Sequence, residues 1–507
     1  MNDINKVIEI AKELEELSVK YSSLSWTQYT TGFDFGVNQA YEKMTEVLKN
    51  KKHYQIILEH KQKQLDPLDK RRVEIIALAF KPYHLSDEMN KLDLKIQNKT
   101  TELAQILNKF RFTLDGNEIR STEIAQILRS EDNRDKRKRA FLARAQINEP
   151  LVDGGFVDLV NMRKEYAGLY GAKSFVEFRL EFDELESRIF DNWTEEIQRF
   201  LPKLKDTNTK FGKEYISDEQ VMPWDNAYIS AKVAPQLNQI VDMSKYHEVI
   251  RNLFLQFGID ISKYNITYDL FPRKNKSEWG YSFTIRSGKD NRILANVENR
   301  YQEYGVLLHE TGHAVHSFNL EPDDVLLNMG VSGIITEGFA NLWREFMYEK
   351  MFYEQFFTGS LDKTSEAFKN LKKWQKINRI RAVPDILFDQ SLYRTNIKTI
   401  DDVNELYLKY YKIILDEVYN IDNPPWAYRI HHTTHPIYLH NYFLGDLTCD
   451  MLSSRFMKIT GVSSILEKPK EFGQFLLDEL IKPSGTLPFL KIFEKVSGEP
   501  FSLKYLE

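Results

Sequence analysis

The sequence predicts a mostly α-helical protein with one small β-sheet set directly before its strongest motif. Three observations carry that prediction. Apolar residues recur at three- and four-residue spacing through most of the chain. Gly and Pro, which make tight turns, are sparse in the N-terminal half. Only between Ile261 and Val297 does the pattern change to short alternating or β-branched runs.

The elements follow in order. From Met1 to Ser18, the residues Ile4, Val7, Ile8, Ala11 and Leu14 fall on one face of an acidic amphipathic helix. Further helices are expected through Ala40–Leu48, Val73–Phe80, Leu92–Ile106 and Glu123–Leu128. The basic run Lys136-Arg137-Lys138-Arg139 sits beside Glu131, Asp132 and Asp135 and reads as a solvated helix face. Segment Asp153–Phe175 is richer in Gly, with the helical pattern resuming at Val157. A polar stretch, Lys203–Pro223, suggests a division into an N-terminal helical half, 1–205, and a half, 206–507, that carries the motif. Beyond it come a helix over Tyr246–Phe257 and strands over Asn265–Leu270, Gly280–Arg286 and Arg292–Val297. Gly288-Lys289-Asp290-Asn291 separates the last two like a hairpin turn. From Gln302 the helical pattern returns.

Composition narrows the function classes. Lys and Arg number 69 against 74 Asp and Glu, a net charge of −5, so no basic surface points to nucleic acid. The single cysteine, Cys449, allows no intrachain disulfide and fits a reducing compartment. The N-terminus lacks the basic and apolar blocks of a secretory signal, and no apolar run is long enough to span a membrane. A cytoplasmic location is expected, with no nucleic-acid or membrane partner.

The chemistry centres on His309-Glu310-Thr311-Gly312-His313. On a helix, residues i and i+4 share a face, so both imidazoles reach one metal ion from successive turns. Glu310 stands beside the first of them and can take a proton from water on that metal as it attacks a carbonyl. Val306, Leu307, Leu308, Ala314 and Val315 anchor the helix in a core. Gly312 is costly in a helix, which suggests close approach of another backbone.

A catalytic zinc needs a third protein ligand. Glu337 is the candidate, in Thr336-Glu337-Gly338-Phe339-Ala340-Asn341, which reads as the first turn of a second helix after the flexible Gly330-Val331-Ser332-Gly333. His316 reads as packing or as support for a ligand. Asn341 and Glu345 lie near the Glu337 face, where either can accept an imidazole N–H, although Glu345 fits an ordinary salt bridge equally well.

With these residues the sequence resembles the zinc oligopeptidases of the thimet oligopeptidase and oligoendopeptidase F family, gluzincins related in structure to the angiotensin-converting-enzyme-like peptidases. The resemblance rests on the motif and the Glu337 segment. It also rests on Met222-Pro223-Trp224-Asp225, similar to a Pro-Trp-Asp signature, and on Ile293-Leu294-Ala295-Asn296-Val297, similar to an edge strand. A last piece, His431-His432-Thr-Thr-His435-Pro436-Ile-Tyr438-Leu-His440-Asn441-Tyr442, resembles a His/Tyr segment that faces the metal. It covers roughly residues 220–445.

The resemblance implies an elongated, two-lobed helical body with a deep channel, one Zn2+ per chain on His309, His313 and Glu337, and short peptides as substrates. It pairs His432 with Tyr442 as oxyanion donors, with His435 a rival for the histidine role. It makes Ala295, His435 and Tyr438 substrate-binding residues. Pro436 would open the helix that carries both tyrosines. The implied reaction is endopeptidase hydrolysis. One rival is a dipeptidyl carboxypeptidase, for which Arg379 and Arg381 are candidate carboxylate partners; another is a catalytically silent peptide binder, which has no need of Glu310. The oligomeric state is not indicated.

Overall fold

Helices form where apolar residues stand three and four apart, because that spacing gives each helix a continuous face to bury. The computed structural model describes residues 4–234, 236–298, 300–321, 323–358 and 365–506. Within them the expected helices occur as Val37–Leu48, Pro67–Phe80, Asp87–Lys109, Ser121–Ser130, Phe156–Tyr170 and Tyr246–Gln256. The first helix runs over Asn5–Thr31, buries Val7, Ile10, Ala11 and Leu14, and stops at Gly32 in the left-handed conformation. Residues 1–3 of that reading lie outside the described residues. Several helix starts carry their caps in the sequence: Asp66 accepts from the N–H groups of Leu68 and Asp69, and Ser86 from that of Met89. No helix among the described residues is long and apolar enough to cross a membrane.

Two features of the N-terminal half differ from the sequence reading. A hairpin, β1 (Phe112–Leu114) and β2 (Asn117–Ile119), interrupts the helices. Its turn is Asp115-Gly116, with φ of 52° and 82°, and Asp-Gly is a favoured pair where both central residues need positive φ. The basic run is not wholly solvated either. Arg137 is buried, 2.8 Å from the equally buried Asp225, which also pairs with Arg134 at 2.6 Å. The Pro-Trp-Asp segment thus anchors the helix Arg134–Ala143.

One apolar core extends from Met89 to Leu506 and draws on residues to either side of position 205; a smaller one joins Ile4–Phe80 to Val325 and Leu326. The second sheet has three strands, β3 (Ile266–Asp269), β4 (Tyr281–Arg286) and β5 (Asp290–Leu294), in the order β3-β5-β4. β5 is parallel to β3 and antiparallel to β4. The expected edge strand at Ile293–Val297 is therefore corrected: β5 is central and ends at Leu294. Ala295 is buried, its N–H donates to the Asp269 carbonyl at 2.9 Å, and its carbonyl accepts from Lys276 Nζ at 2.6 Å. Neither backbone group is free for substrate. β3 and β4 are the two edges of the sheet, and β4 is the open edge beside the motif.

Three helices place the motif. The motif helix is Tyr301–Phe318, the next is Gly333–Arg344, and the third is His440–Thr460. Glycines let their backbones meet: a Cβ on Gly312 would lie 2.8 Å from Ala340 Cα, and one on Gly445 would lie 2.7 Å from Gly338 N. Gly312→Ala should destabilise the fold, because backbone at that distance cannot rotate away. Overpacking of about 1–3 kcal/mol opposes a propensity gain of about 1 kcal/mol, so a net loss of up to about 2 kcal/mol is expected. Urea unfolding measures it, and an unchanged or higher midpoint would show that the helices are not held at this contact.

Candidate metal centre

The motif helix is fixed against the sheet by a hydrogen bond of 2.9 Å between Thr311 Oγ1 and the Tyr268 hydroxyl on β3. One turn apart, His309 and His313 bring their Nε2 atoms to 3.2 Å. Both lie 3.4 Å from Glu337 Oε2. Ser332 caps the Glu337 helix, which begins at Gly333, so Glu337 sits in its second turn and not its first. Among the described residues these three form a cluster able to hold a metal ion.

The donor spacing tests that fit. Ligands about 2.0–2.1 Å from a tetrahedral zinc stand about 3.3 Å from one another. The observed 3.2, 3.4 and 3.4 Å match that edge. Glu337 Oε2 is buried without a hydrogen-bond partner, while Oε1 accepts from the Tyr438 hydroxyl at 2.7 Å. Two imidazole nitrogens and one orphaned carboxylate oxygen therefore converge, which is the donor set of a catalytic zinc site.

Burial pulls His309 down to about 4 and raises Glu310 to about 7. Burial also opposes the charge on His313, but Glu337 and Glu310 outweigh it and raise its pKa. For Glu337 burial is outweighed by His313 and His309, which hold it well below the usual carboxylate range. Burial holds His316 neutral, at about 3; it hydrogen-bonds Ser484 Oγ at 3.3 Å and packs edge-on against Phe339. It is a packing residue.

These groups line a cavity of about 440 Å³, walled on one side by Trp279, Gly280, Tyr281, Ser282 and Thr284 at the open edge of the sheet. Gly280 lies beside Glu310: a Cβ there would come within 3.3 Å of Glu310 Oε1. Sequence reasoning missed this wall, although β4 alternates polar and apolar residues as a one-side-covered strand does.

The opposite wall corrects the histidine register. His432 is fully buried, with Nδ1 3.3 Å from Asp389 Oδ1 and its ring perpendicular to Phe388, and it does not border the cavity. His431 does, with Nε2 3.2 Å from the Tyr442 hydroxyl. The chain breaks between the short helix His431–Thr434 and the helix that starts at His440, so Pro436 opens no helix. In that break Ile437 has φ 56°, a rare value for a β-branched residue, and donates its N–H to Asp389 Oδ2 at 2.6 Å. Asp389 therefore holds both His432 and the break. Tyr438 and Tyr442 still meet, with rings 5.5 Å apart, and His435 also borders the cavity.

Asn341 and Glu345 do not support the ligands. Asn341 donates to the Tyr442 carbonyl at 3.4 Å, while Glu345 pairs with Arg379 at 3.1 Å. Arg379 also binds Asp450 at 2.7 Å, and Arg381 binds Glu417 at 2.7 Å. Neither arginine borders the metal cavity.

Comparison with known proteins places the whole site inside one family match. The model of peptidase family M3 matches residues 127–506, which contain all of the residues above. An oligoendopeptidase F homolog of Mycoplasma pneumoniae is 21% identical over 300 residues, 56% of this chain and 46% of that protein. The match thus spans about half the length of that relative. Among solved structures, one assigned to an oligoendopeptidase F superposes with a TM-score of 0.78 at 15% identity, covering 97% of this chain and 88% of the other. Another, from Bacillus anthracis, gives 0.74 at 15% identity, covering 99% and 89%. At such identities the likeness establishes the shared helical fold.

Proposed function

The chain belongs to peptidase family M3, and from that premise we propose that it is a zinc oligoendopeptidase cleaving short, flexible peptides. The observation that carries this reading is the triangle of donor atoms at the edge length of a zinc tetrahedron, with Glu310 beside it. His309, His313 and Glu337 would hold one Zn2+ per chain. The metal supplies a Lewis acid that polarises the scissile carbonyl and acidifies water. Glu310 accepts the proton of the attacking water and passes it to the leaving amine. Tyr438 fixes the Glu337 carboxylate through Oε1 and leaves Oε2 for the metal. Tyr442, with His431 against its hydroxyl, donates to the carbonyl oxygen as it gains charge. The open edge of β4 pairs with the substrate backbone as an added strand.

Substrate size follows from access. The side chains of His309, His313 and Glu337 are 13%, 17% and 4% exposed, so only an extended chain reaches them. A cytoplasmic supply of short peptides fits this reading. Purified protein should carry one zinc per chain, lose activity to a chelator and regain it with zinc. Peptides of about ten residues, long enough to fill a strand-shaped site, should be cut internally, while a folded protein with the same local sequence resists. Activity that survives metal removal, or efficient cutting of native proteins, would overturn the proposal. The engagement of Arg379 and Arg381 elsewhere leaves the dipeptidyl carboxypeptidase reading without its expected cations.

A further inference from the structure

The open edge of β4 borders more than the metal cavity. Trp279 and His431 are shared with a cavity of about 330 Å³, and at the other end Thr284, Ser287, His435 and Tyr438 are shared with a larger one of about 640 Å³. The strand therefore leads from Gly280, beside Glu310, into the larger cavity.

That cavity holds two guanidiniums without a carboxylate partner among the described residues. Arg163 is 3% exposed and donates only to neutral groups: the Tyr393 hydroxyl at 3.1 Å, Thr100 Oγ1 at 3.2 Å and the Thr433 carbonyl at 2.8 Å. Arg179 has a buried Nε with no hydrogen-bond partner and makes no ion pair. The other two buried arginines among the described residues are matched, Arg71 by Glu184 and Arg137 by Asp225, whereas half-buried Arg144 and Arg455 share with Arg179 an unpartnered Nε. The two carboxylates bordering the cavity do not supply the missing charge. Asp93 accepts from the Tyr41 hydroxyl at 3.0 Å, and neither it nor Glu15 pairs with Arg163 or Arg179. Both arginines act on His435, whose pKa burial and then their charges depress to about 4, so a neutral imidazole separates them from the metal side.

A buried guanidinium lacking a counter-charge is costly, and its planar fork matches a carboxylate. We propose that Arg163 and Arg179 form a carboxylate-binding subsite that recognises an acidic group on the peptide, several residues from the bond cut. The acidic group is a Glu or Asp side chain or the free C-terminus. From Gly280 to Thr284–Ser287 the strand advances roughly 13–23 Å, so the recognised group lies about four to seven residues from the scissile bond. This inference rests on the peptidase reading.

The test uses the zinc-loaded enzyme and a neutral parent peptide of about twelve residues, long enough to cover that reach. A single Glu is moved through every position against matched Gln peptides, and each is made with a free or amidated C-terminus. In the parent enzyme one arm should raise kcat/KM about tenfold or more, the worth of a hydrogen bond to a charged group. Arg179→Gln should reduce that preference to within about twofold, leaving cleavage of the neutral peptide unchanged. Arg179→Glu, with a Lys at the same peptide position, should reverse the preference, which an unfolded variant could not do. Preference for Glu at one position assigns the side chain; dependence on the free acid alone assigns the C-terminus. Cleavage of all peptides at equal efficiency would overturn the subsite while leaving the peptidase reading intact. Cleavage of none would overturn that reading itself.

Discussion

Glu310→Gln should retain the metal and bind peptide with unchanged affinity, yet lose nearly all turnover. The substitution keeps the size of the side chain and changes only its ability to take a proton. Glu310 makes no hydrogen bond or ion pair among the described residues, so no structural partner is left behind. It is buried on the motif helix, next to Gly280 of the cleft wall and outside the ligand triangle. Without the metal, burial lifts its pKa to about 7, and a dication beside it would lower that value and keep the carboxylate ionised as a proton acceptor. A general base contributes roughly a hundred- to ten-thousandfold, and a loss of that size with intact zinc content is the expected result. Turnover within about tenfold of the parent would remove Glu310 from the base role. Retained binding without turnover in the parent itself would instead favour the silent peptide binder.

The outcome for each element depended on whether its information was local. The motif helix and the Glu337 helix are written in short segments, and Gly312 announced the close contact with Ala340 through its cost to helix propensity. The three strands were legible from alternation, but their order was not. β5 becomes central only because β3 pairs with it in parallel, a contact between residues more than twenty positions apart. The continuous run Ile293-Leu294-Ala295 was nonetheless a burial signal, and the alternating Tyr281–Arg286 the signal of a strand covered on one face. The Asp115-Gly116 turn was equally local and went unread. The histidine register failed for a different reason. The pairing of His432 with Tyr442 came from the resemblance, registered on Arg429-Ile430, and the helix expected from Pro436 is absent because the chain breaks at Ile437 in a conformation that its side chain disfavours. Asp389, a long-range partner, holds that break and buries His432. No spacing within the segment reports it.

Tyr442→Phe should lower kcat by about a hundred- to a thousandfold, or about 2.7–4 kcal/mol, with little change in KM. Burial, reinforced by Glu337 and Glu310, raises the phenol far above its ordinary value, so it stays protonated and can donate. Burial and the charge of Arg429 push His431 far the other way, so its imidazole is neutral. In the contact of 3.2 Å between His431 Nε2 and the phenol oxygen, the tautomer of this neutral ring sets which atom donates. If Nε2 carries the proton, His431 donates to the phenol and Tyr442 points its own proton into the cleft. A donor of this kind strengthens its bond only as the carbonyl oxygen gains charge, which is why kcat and not KM should respond. His431→Ala should lower kcat in the same direction, and the double variant should lose less than the product of the two, because His431 acts through the Tyr442 hydroxyl. His432→Ala should chiefly lower the unfolding midpoint, since it empties a fully buried position beside Phe388 and Asp389. His435→Ala, on the side of the cleft that faces Arg163 and Arg179, should leave kcat on neutral peptides near the parent value. A large kcat loss at His432 or His435 with little effect at His431 would overturn this assignment, and the ligand triangle would be unaffected.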